Sequence, residues 1–136
     1  MEVSLVLSNN PDAFVLERAS RLKVPAYVFD REQFYTSDLV PGILREVGID
    51  LIVLAGFLWL VPENILRGWP GRILNIHPAL LPKFGGKGMY GERVHKAVIE
   101  AGEKETGISI HYVNEKYDEG QIIFQEKLPM LPSDTA

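Results

Sequence analysis

An asparagine and a histidine two positions apart, Asn75 and His77, have the residue types and spacing that chemistry needs. Side chains two apart in an extended strand lie on the same face, and Pro78 ends the strand directly after the histidine. A carboxamide can stabilise a developing oxyanion, and an imidazole beside it can move a proton. The pair therefore suits acyl transfer, although two polar residues that merely end a strand would show the same spacing.

A carboxylate further along the chain, Asp118, is the candidate partner of His77. It lies in a polar loop, residues 114–120, which follows an apolar strand and ends at flexible Gly120. A carboxylate close to an imidazole stabilises the protonated form of the ring. A solvated loop aspartate is the commoner case, and the sequence alone leaves open whether Asp118 reaches His77.

The other two histidines and a glycine-rich loop are weaker candidates. His111 shares a strand face with Ser109 and Val113, which predicts a position towards a cleft or in a buried hydrogen bond. His95 has charged neighbours on a predicted helix, which favours a solvated position. Residues 83–88 lack the spacing of a phosphate-binding P-loop, and we predict a mobile lid there.

The elements that must position these residues alternate between strand and helix. Alternation of this kind predicts an α/β fold, Rossmann-like with a mainly parallel sheet, whose ligands gather beyond the carboxyl ends of the strands. That rule points to the loops after residues 56, 76–77 and 113. The predicted strands are residues 3–7, 24–29, 51–56, 72–76, 108–113 and 122–125, and the predicted helices begin near residues 11, 39, 62 and 94.

Three local patterns give specific expectations. Residues 51–56 are apolar on every side, which is typical of a central strand covered on both faces. Asn10 is expected to cap a helix whose first residue is Pro11, where the missing N–H costs nothing. The second helix is expected to hold Pro41 in its first turn and to end at Gly48.

Composition bounds the class of protein. The chain has 136 residues, 46% of them hydrophobic, which is enough for one ordinary core and leaves no room for a second domain. A formal net charge of -4 argues against a sequence-independent nucleic-acid binder. The sequence has no cysteine and no apolar run long enough to span a membrane. We expect a cytoplasmic protein with no metal and with no nucleic-acid or membrane partner.

Several segments together resemble the glycinamide ribonucleotide formyltransferases. Residues 75–83 are similar to the central signature of that family, and residues 54–57 to the segment before it. Residues 107–113, continuing to residues 117–120, match its second signature in order and spacing. Residues 8–13, together with residues 16–19, look like its early strand-to-helix turn. The resemblance covers essentially the whole chain.

The resemblance implies formyl transfer from 10-formyltetrahydrofolate to the amine of glycinamide ribonucleotide, a step of de novo purine biosynthesis. It implies that Asn75 stabilises the oxyanion of the tetrahedral intermediate and that His77 is the acid or electrostatic partner. Asp118 would hold His77 protonated and help relay a proton to the folate nitrogen. The folate would contact Arg31, Leu58, Trp59, Leu60, Val61, Asn75, Val113, Asn114 and Asp118.

The chain also departs from the family pattern. Trp59 stands where many members carry a basic residue, and two residues are inserted between Arg31 and Leu51. The glycine- and serine-rich turn that binds the substrate phosphate, and the C-terminal helix, have no counterpart. We therefore expect residues 1–136 to form one incomplete formyltransferase domain, truncated at both ends and inactive alone. Apolar surface exposed by truncation, including strand 51–55, would favour self-association or a segment supplied by another chain.

Rival functions follow from the same residues. A formyltetrahydrofolate hydrolase would use water in place of the amine, but that family tends to carry a second histidine where this chain has Pro78. A catalytically inactive chain that binds only folate, or binds nothing, is a rival of another class. A methionyl-tRNA formyltransferase fits the acidic net charge less well.

Overall fold

The computed structural model describes residues 2–57, 59–86, 89, 92–114 and 120–129. The chain divides into two compact units, Met1–Asp50 and Leu51–Ala136. The expected α/β class is confirmed, since strands and helices alternate through most of the described chain. In chain order the elements are β1 (Val6–Ser8), α1 (Phe14–Arg21), β2 (Ala26–Val28), α2 (Arg31–Tyr35), α3 (Leu39–Val47), β3 (Ile52–Ala55), α4 (Glu63–Gly68), β4 (Ile73–His77), α5 (Glu92–Glu100), β5 (Glu105–Tyr112) and β6 (Ile122–Pro129).

The first unit contains a small parallel sheet. β1 and β2 pair in parallel, with Val6 opposite Ala26, and helix α1 connects them. Each strand is three residues long, shorter than the sequence pattern predicts. Pro25, directly before β2, has no N–H to extend the ladder, and Asp30 after it already caps the next helix.

Helix α1 begins later than predicted, and Asn10 does not cap it. The Asn10 side chain accepts a hydrogen bond from the Asp12 N–H at 2.9 Å, and its carbonyl accepts one from Ala13 at 3.1 Å. Ala13 is the N-cap residue and makes no side-chain cap. The predicted start at Pro11 is wrong because the short asparagine side chain closes its own turn instead of a helix end.

The first unit also holds one helix that the pattern did not predict and one that it did. A capping box starts α2: Gln33 N–H donates to the Asp30 side chain at 2.8 Å, and the Gln33 side chain accepts from Asp30 N–H at 2.9 Å. The spacing of Asp30 and Gln33 is the sequence signal that could have predicted the start of α2. Helix α3 contains Pro41 in its first turn and ends at Gly48, whose φ is 80°, so both expectations are confirmed.

The second unit is built on a four-stranded sheet in the order β3-β4-β5-β6. β3 and β4 are parallel, whereas β4 pairs with β5 and β5 with β6 in antiparallel fashion. In the described part of the chain β3 is an edge strand, and its Val53 is 49% exposed. The prediction of a central strand covered on both faces is therefore wrong for residues 51–56.

The two faces of this sheet differ in burial. Cross-strand pairing puts Ile76, Ile110 and Phe124 in one row, and we call the face that carries them the open face. The opposite face carries Asn75 and His77, and its side chains on β4 and β5 are mostly buried. Large apolar side chains exposed on the open face include Val53, Ile76, Ile108 and Phe124, and buried residues of the opposite face include Ile73, His77, Ser109 and His111.

Two glycines of helix α3 should respond to alanine in opposite directions. Gly42 lies inside the helix, and a Cβ there meets no atom within 4 Å, so Gly42→Ala should raise the free energy of unfolding by about 0.5–1 kcal/mol. Gly48 has a φ of 80°, so Gly48→Ala should lower it by about 1 kcal/mol. Urea denaturation of the two variants and the parent measures both changes, and equal signs would contradict the helix boundary.

Candidate active site

Strand β4 presents the two residues that the sequence singled out. Asn75 and His77 lie on the same face, as their spacing predicts, and the antiparallel register sets His111 beside Asn75 and Ser109 beside His77. His77, Ser109 and His111 are 3%, 0% and 2% exposed. Polar groups buried this deeply need hydrogen-bond partners, so the partners define the orientation of each side chain.

The carboxamide of Asn75 is held by His111. Asn75 Nδ2 lies 3.1 Å from His111 Nε2, and His111 Nδ1 lies 2.9 Å from the carbonyl oxygen of Tyr112. A carbonyl only accepts, so Nδ1 carries a proton, and in the neutral ring Nε2 accepts from the Asn75 amide. The predicted buried hydrogen bond of His111 is confirmed, and it sets the orientation of the Asn75 amide group.

The ring of His77 is held by the loop that follows it. Its Nε2 lies 2.7 Å from the carbonyl oxygen of Phe84. Phe84 has a φ of 57°, a left-handed conformation that is uncommon for a residue other than glycine. The loop therefore turns back on β4 and brings a main-chain acceptor to the imidazole. Sequence reasoning missed Phe84, because a main-chain contact leaves no signal in residue type.

Ser109 ties the start of that loop to the sheet. Its hydroxyl donates to the carbonyl of Ala79 at 2.7 Å and accepts from the N–H of Leu81 at 3.0 Å. Gln125 on β6 donates to Ser109 Oγ and to the Leu81 carbonyl, each at 2.9 Å. These bonds fix the backbone just after His77. The sequence offered only a weak signal, a serine on the same strand face as His111.

Asp118 lies outside the described residues, so its approach to His77 stays a prediction. The loop that carries it leaves the sheet where Val113 N–H donates to the Ile73 carbonyl and returns where Tyr112 N–H donates to the Gln121 carbonyl, each at 2.9 Å. β5 runs antiparallel to β4, so its carboxyl end lies at the opposite end of the sheet from His77. The expectation that this loop follows the carboxyl end of a parallel strand is wrong.

We call the place where Gly120 lies against Tyr112 the neck of this loop, and its geometry depends on Gly120. A Cβ at this position would overlap the carbonyl oxygen of Tyr112, the oxygen that also binds His111 Nδ1. Gly120 is therefore needed for close backbone approach and not for conformational freedom, contrary to the interpretation of a flexible glycine. The neck and the Asn75–His111 pair share one carbonyl group.

The predicted folate contacts fall on both units. In the first unit Arg31 is the first residue of α2, with its guanidinium 5.3 Å from the ring centroid of Tyr35. In the second unit Trp59 and Leu60 are half-buried and Val61 is buried, while Leu58 lies outside the described residues. Val113 and Asn114 follow β5 and are half-buried. Each assignment to folate stays a prediction.

The structure also shows where the weaker candidate site residues of the sequence analysis lie. His95 is exposed on helix α5, as predicted. The predicted lid, residues 83–88, is described only through residue 86, where Lys83 forms an ion pair of 2.8 Å with Glu103. In the part of the chain that the structure describes, no group of three or more histidine, aspartate or glutamate side chains could hold a metal ion. Within that same part, no helix has the length and apolarity to cross a membrane.

Comparison with known proteins gives a consistent result. A family model described as "Formyl transferase" matches residues 1–136. A phosphoribosylglycinamide formyltransferase from Arabidopsis thaliana, named as chloroplastic, is 45% identical over 98% of this chain and 48% of its own length. That from Haemophilus influenzae is 38% identical over 98% of this chain and 63% of its own length.

A solved structure agrees with these relatives. The crystal structure of phosphoribosylglycinamide formyltransferase from Bacillus halodurans superposes with a TM-score of 0.85 at 39% identity. It covers 98% of this chain, which in turn covers 69% of the crystallised one. The chain thus spans between about half and two thirds of the length of the curated relatives described above.

The close contact at Gly120 gives a test of the loop neck. Gly120→Ala should lower the free energy of unfolding by about 1–3 kcal/mol, because the added methyl group must displace the Tyr112 carbonyl. Gly42→Ala adds the same methyl group in open space and is the control. Thermal unfolding followed by circular dichroism compares them. A Gly120→Ala variant as stable as the parent would contradict the described neck.

Proposed function

This chain belongs to the formyl transferase family, and we propose that it carries the reaction centre for formyl transfer from 10-formyltetrahydrofolate to glycinamide ribonucleotide. The observation that supports this most directly is the arrangement of Asn75 and His77 on one face of the sheet, each held by its own partner. Fixed orientation matters because acyl transfer gains most from groups that are already in place when charge develops.

The proposed reaction uses these side chains without a change of oxidation state. The amine nitrogen of the ribonucleotide forms a bond to the formyl carbon, and the formyl oxygen gains the negative charge of the tetrahedral intermediate. The bond between this carbon and the folate nitrogen then breaks, and that nitrogen keeps the electron pair. The amine nitrogen loses one proton and the folate nitrogen takes one up, so the proton count balances.

Each residue has one part in this scheme. The Asn75 amide donates to the oxyanion, and His111 keeps that amide in a defined orientation through the bond of 3.1 Å. His77 stabilises the intermediate as an imidazolium and supplies a proton. Asp118 favours the charged form of His77 and relays the proton to the folate nitrogen.

The folate co-substrate is proposed to lie against the residues that the family pattern assigns. Leu60 and Val61 offer apolar surface of the kind that a folate pocket requires, and Trp59 adds an aromatic ring 6.0 Å from that of Phe57. Val113 would contribute backbone to the same pocket. The contact set proposed for folate is Arg31, Leu58, Trp59, Leu60, Val61, Asn75, Val113, Asn114 and Asp118.

The hydrolase is the second candidate function, and one residue weighs against it. Pro78 follows His77 directly and stands where the hydrolases tend to carry a second histidine. Proline cannot exchange a proton with water, so this chain has one ionisable side chain fewer at that position. Release of formate without the ribonucleotide, measured beside formylated product, separates the two activities.

The open face of the second unit supports a proposal about partners. Val53, Ile76, Ile108 and Phe124 are between 36% and 50% exposed and lie on one side of the sheet. Apolar surface of this kind is usually covered by protein. We therefore propose that residues 1–136 form one formyltransferase domain and that the chain self-associates through the open face. A cytoplasmic location stays a prediction.

Self-association can be tested with one charged substitution. Phe124→Glu should lower the weight-average mass that sedimentation measures for the 136-residue chain, because it places a carboxylate on the open face. Phe14→Glu changes a phenylalanine that is 59% exposed on helix α1 and should leave the mass unchanged. A parent chain that is already monomeric would exclude self-association through the open face. An equal fall in mass for both variants would also exclude it.

The catalytic proposal predicts a loss of rate in a full-length context. In a chimaera where residues 1–136 replace the matching segment of the Bacillus halodurans enzyme, Asn75→Ala should lower kcat by about 10²–10³-fold with a smaller change in KM for the folate. Asp118→Asn should lower the rate most at the alkaline end of the profile, since the neutral amide no longer favours imidazolium.

Steady-state kinetics of formylated product decide these outcomes. A kcat within a few-fold of the chimaera would remove Asn75 from the oxyanion role, and an unchanged pH profile would make Asp118 structural. Ser20→Ala, at an exposed position of helix α1, is the matched control for a small surface substitution and should keep both parameters. A chimaera with no transferase activity would contradict the proposed function itself.

A further inference from the structure

We infer that the main-chain carbonyl of Phe84 decides which nitrogen of His77 exchanges a proton, and that Phe84 is a positioning residue for His77. The ring is 3% exposed, and its Nε2 lies 2.7 Å from the carbonyl oxygen. A carbonyl cannot donate, so Nε2 keeps its proton in both the neutral and the charged ring. The proton that His77 gains and loses is therefore the one on Nδ1.

Packing of the Phe84 side chain holds its carbonyl in place. The phenyl ring packs against the buried cluster of Ala79, Val94 and Val98, all 2% exposed or less. The preceding residue, Lys83, is paired with Glu103 at 2.8 Å. A φ of 57° is strained for phenylalanine, and a strained conformation persists only where its surroundings hold it. The side chain thus anchors a backbone group that reaches His77.

The second buried histidine of the site is fixed in the opposite way. The Tyr112 carbonyl accepts from His111 Nδ1 at 2.9 Å, so His111 carries its proton on Nδ1 and presents Nε2 to Asn75. Two backbone carbonyls therefore hold two neighbouring imidazoles in opposite tautomers. The His111 ring orients the Asn75 amide, which is the proposed oxyanion donor. The His77 ring keeps its proton on Nε2, so its proton exchange occurs at Nδ1.

The consequence for catalysis rests on the proposed formyl transfer. In that reaction His77 would give up its Nδ1 proton towards the folate nitrogen and regain one as the amine nitrogen loses its own. The Nε2–H bond to the Phe84 carbonyl would stay intact throughout. No other bond to the ring forms or breaks, so the cycle returns His77 to its starting state.

Nuclear magnetic resonance of the 136-residue chain tests the inference without any substrate. With ¹⁵N-histidine and ¹³C-carbonyl phenylalanine, a scalar coupling across the hydrogen bond should join His77 Nε2 to the Phe84 carbonyl carbon. Long-range ¹⁵N–¹H correlations should show neutral His77 as the Nε2–H tautomer and His111 as the Nδ1–H tautomer. Spectra of His77→Gln and His95→Gln variants assign the three rings.

Two substitutions at Phe84 separate the effect of its side chain from the effect of its backbone carbonyl. Phe84→Gly keeps the carbonyl but removes the ring that packs on the cluster, and the population of the Nδ1–H tautomer of His77 should rise roughly tenfold. Phe84→Leu keeps an apolar side chain and should retain the parent ratio. His111 should keep its tautomer in both variants, which shows that the fold is intact.

The outcomes separate this inference from the proposed function. Neutral His77 found as the Nδ1–H tautomer, or no coupling to the Phe84 carbonyl, would overturn the inference whatever the enzyme activity. An inactive chimaera with the expected tautomers would overturn the formyl transfer alone. In an active chimaera, Phe84→Gly should lower kcat by roughly tenfold with little change in KM, and an unchanged kcat would leave Phe84 without a positioning role.

Discussion

The register between β4 and β5 is the constraint on which the site depends. It places His111 beside Asn75 and Ser109 beside His77, and of these four residues all but Asn75 are nearly inaccessible to solvent. A slip of one residue would turn the polar side chains of one strand to the other face relative to its partner and leave buried groups without partners. The hydrophobic alternation that sets this register therefore also sets the chemistry, because the same pairing fills the core and orients the carboxamide.

Backbone groups, more than side chains, orient the candidate catalytic residues. Carbonyl oxygens of Phe84 and Tyr112 accept from the two imidazoles, and Ser109 binds the backbone of the segment between His77 and Phe84. Such acceptors cannot change protonation, so they hold one tautomer through a reaction that moves protons. Gly120 has the corresponding role in the loop neck, since only hydrogen fits against the Tyr112 carbonyl.

Several features could be predicted from the sequence because they are local. The shared face of Asn75 and His77 follows from the two-residue period of a strand, and the end of helix α3 follows from Gly48. The alternation of apolar periods indicated the α/β class, and the motif around residues 75–83 indicated the family. The capping box of α2 is a local signal of the same kind, because Asp30 and Gln33 have the spacing that starts a helix. These signals need no knowledge of distant residues.

Tertiary structure alone decided how segments that are far apart in sequence pair and contact each other. Residues 51–56 have the composition of a central strand, but strand order places β3 at an edge in the described chain, because pairing depends on which partner is present. The direction of β5 also cannot be predicted from its alternation of side chains, and the antiparallel pairing puts the carboxyl end of β5 beside the start of β4. The contact of His111 with Asn75 depends on strand pairing, and the acceptor for His77 depends on the path of the loop backbone, neither of which residue type encodes.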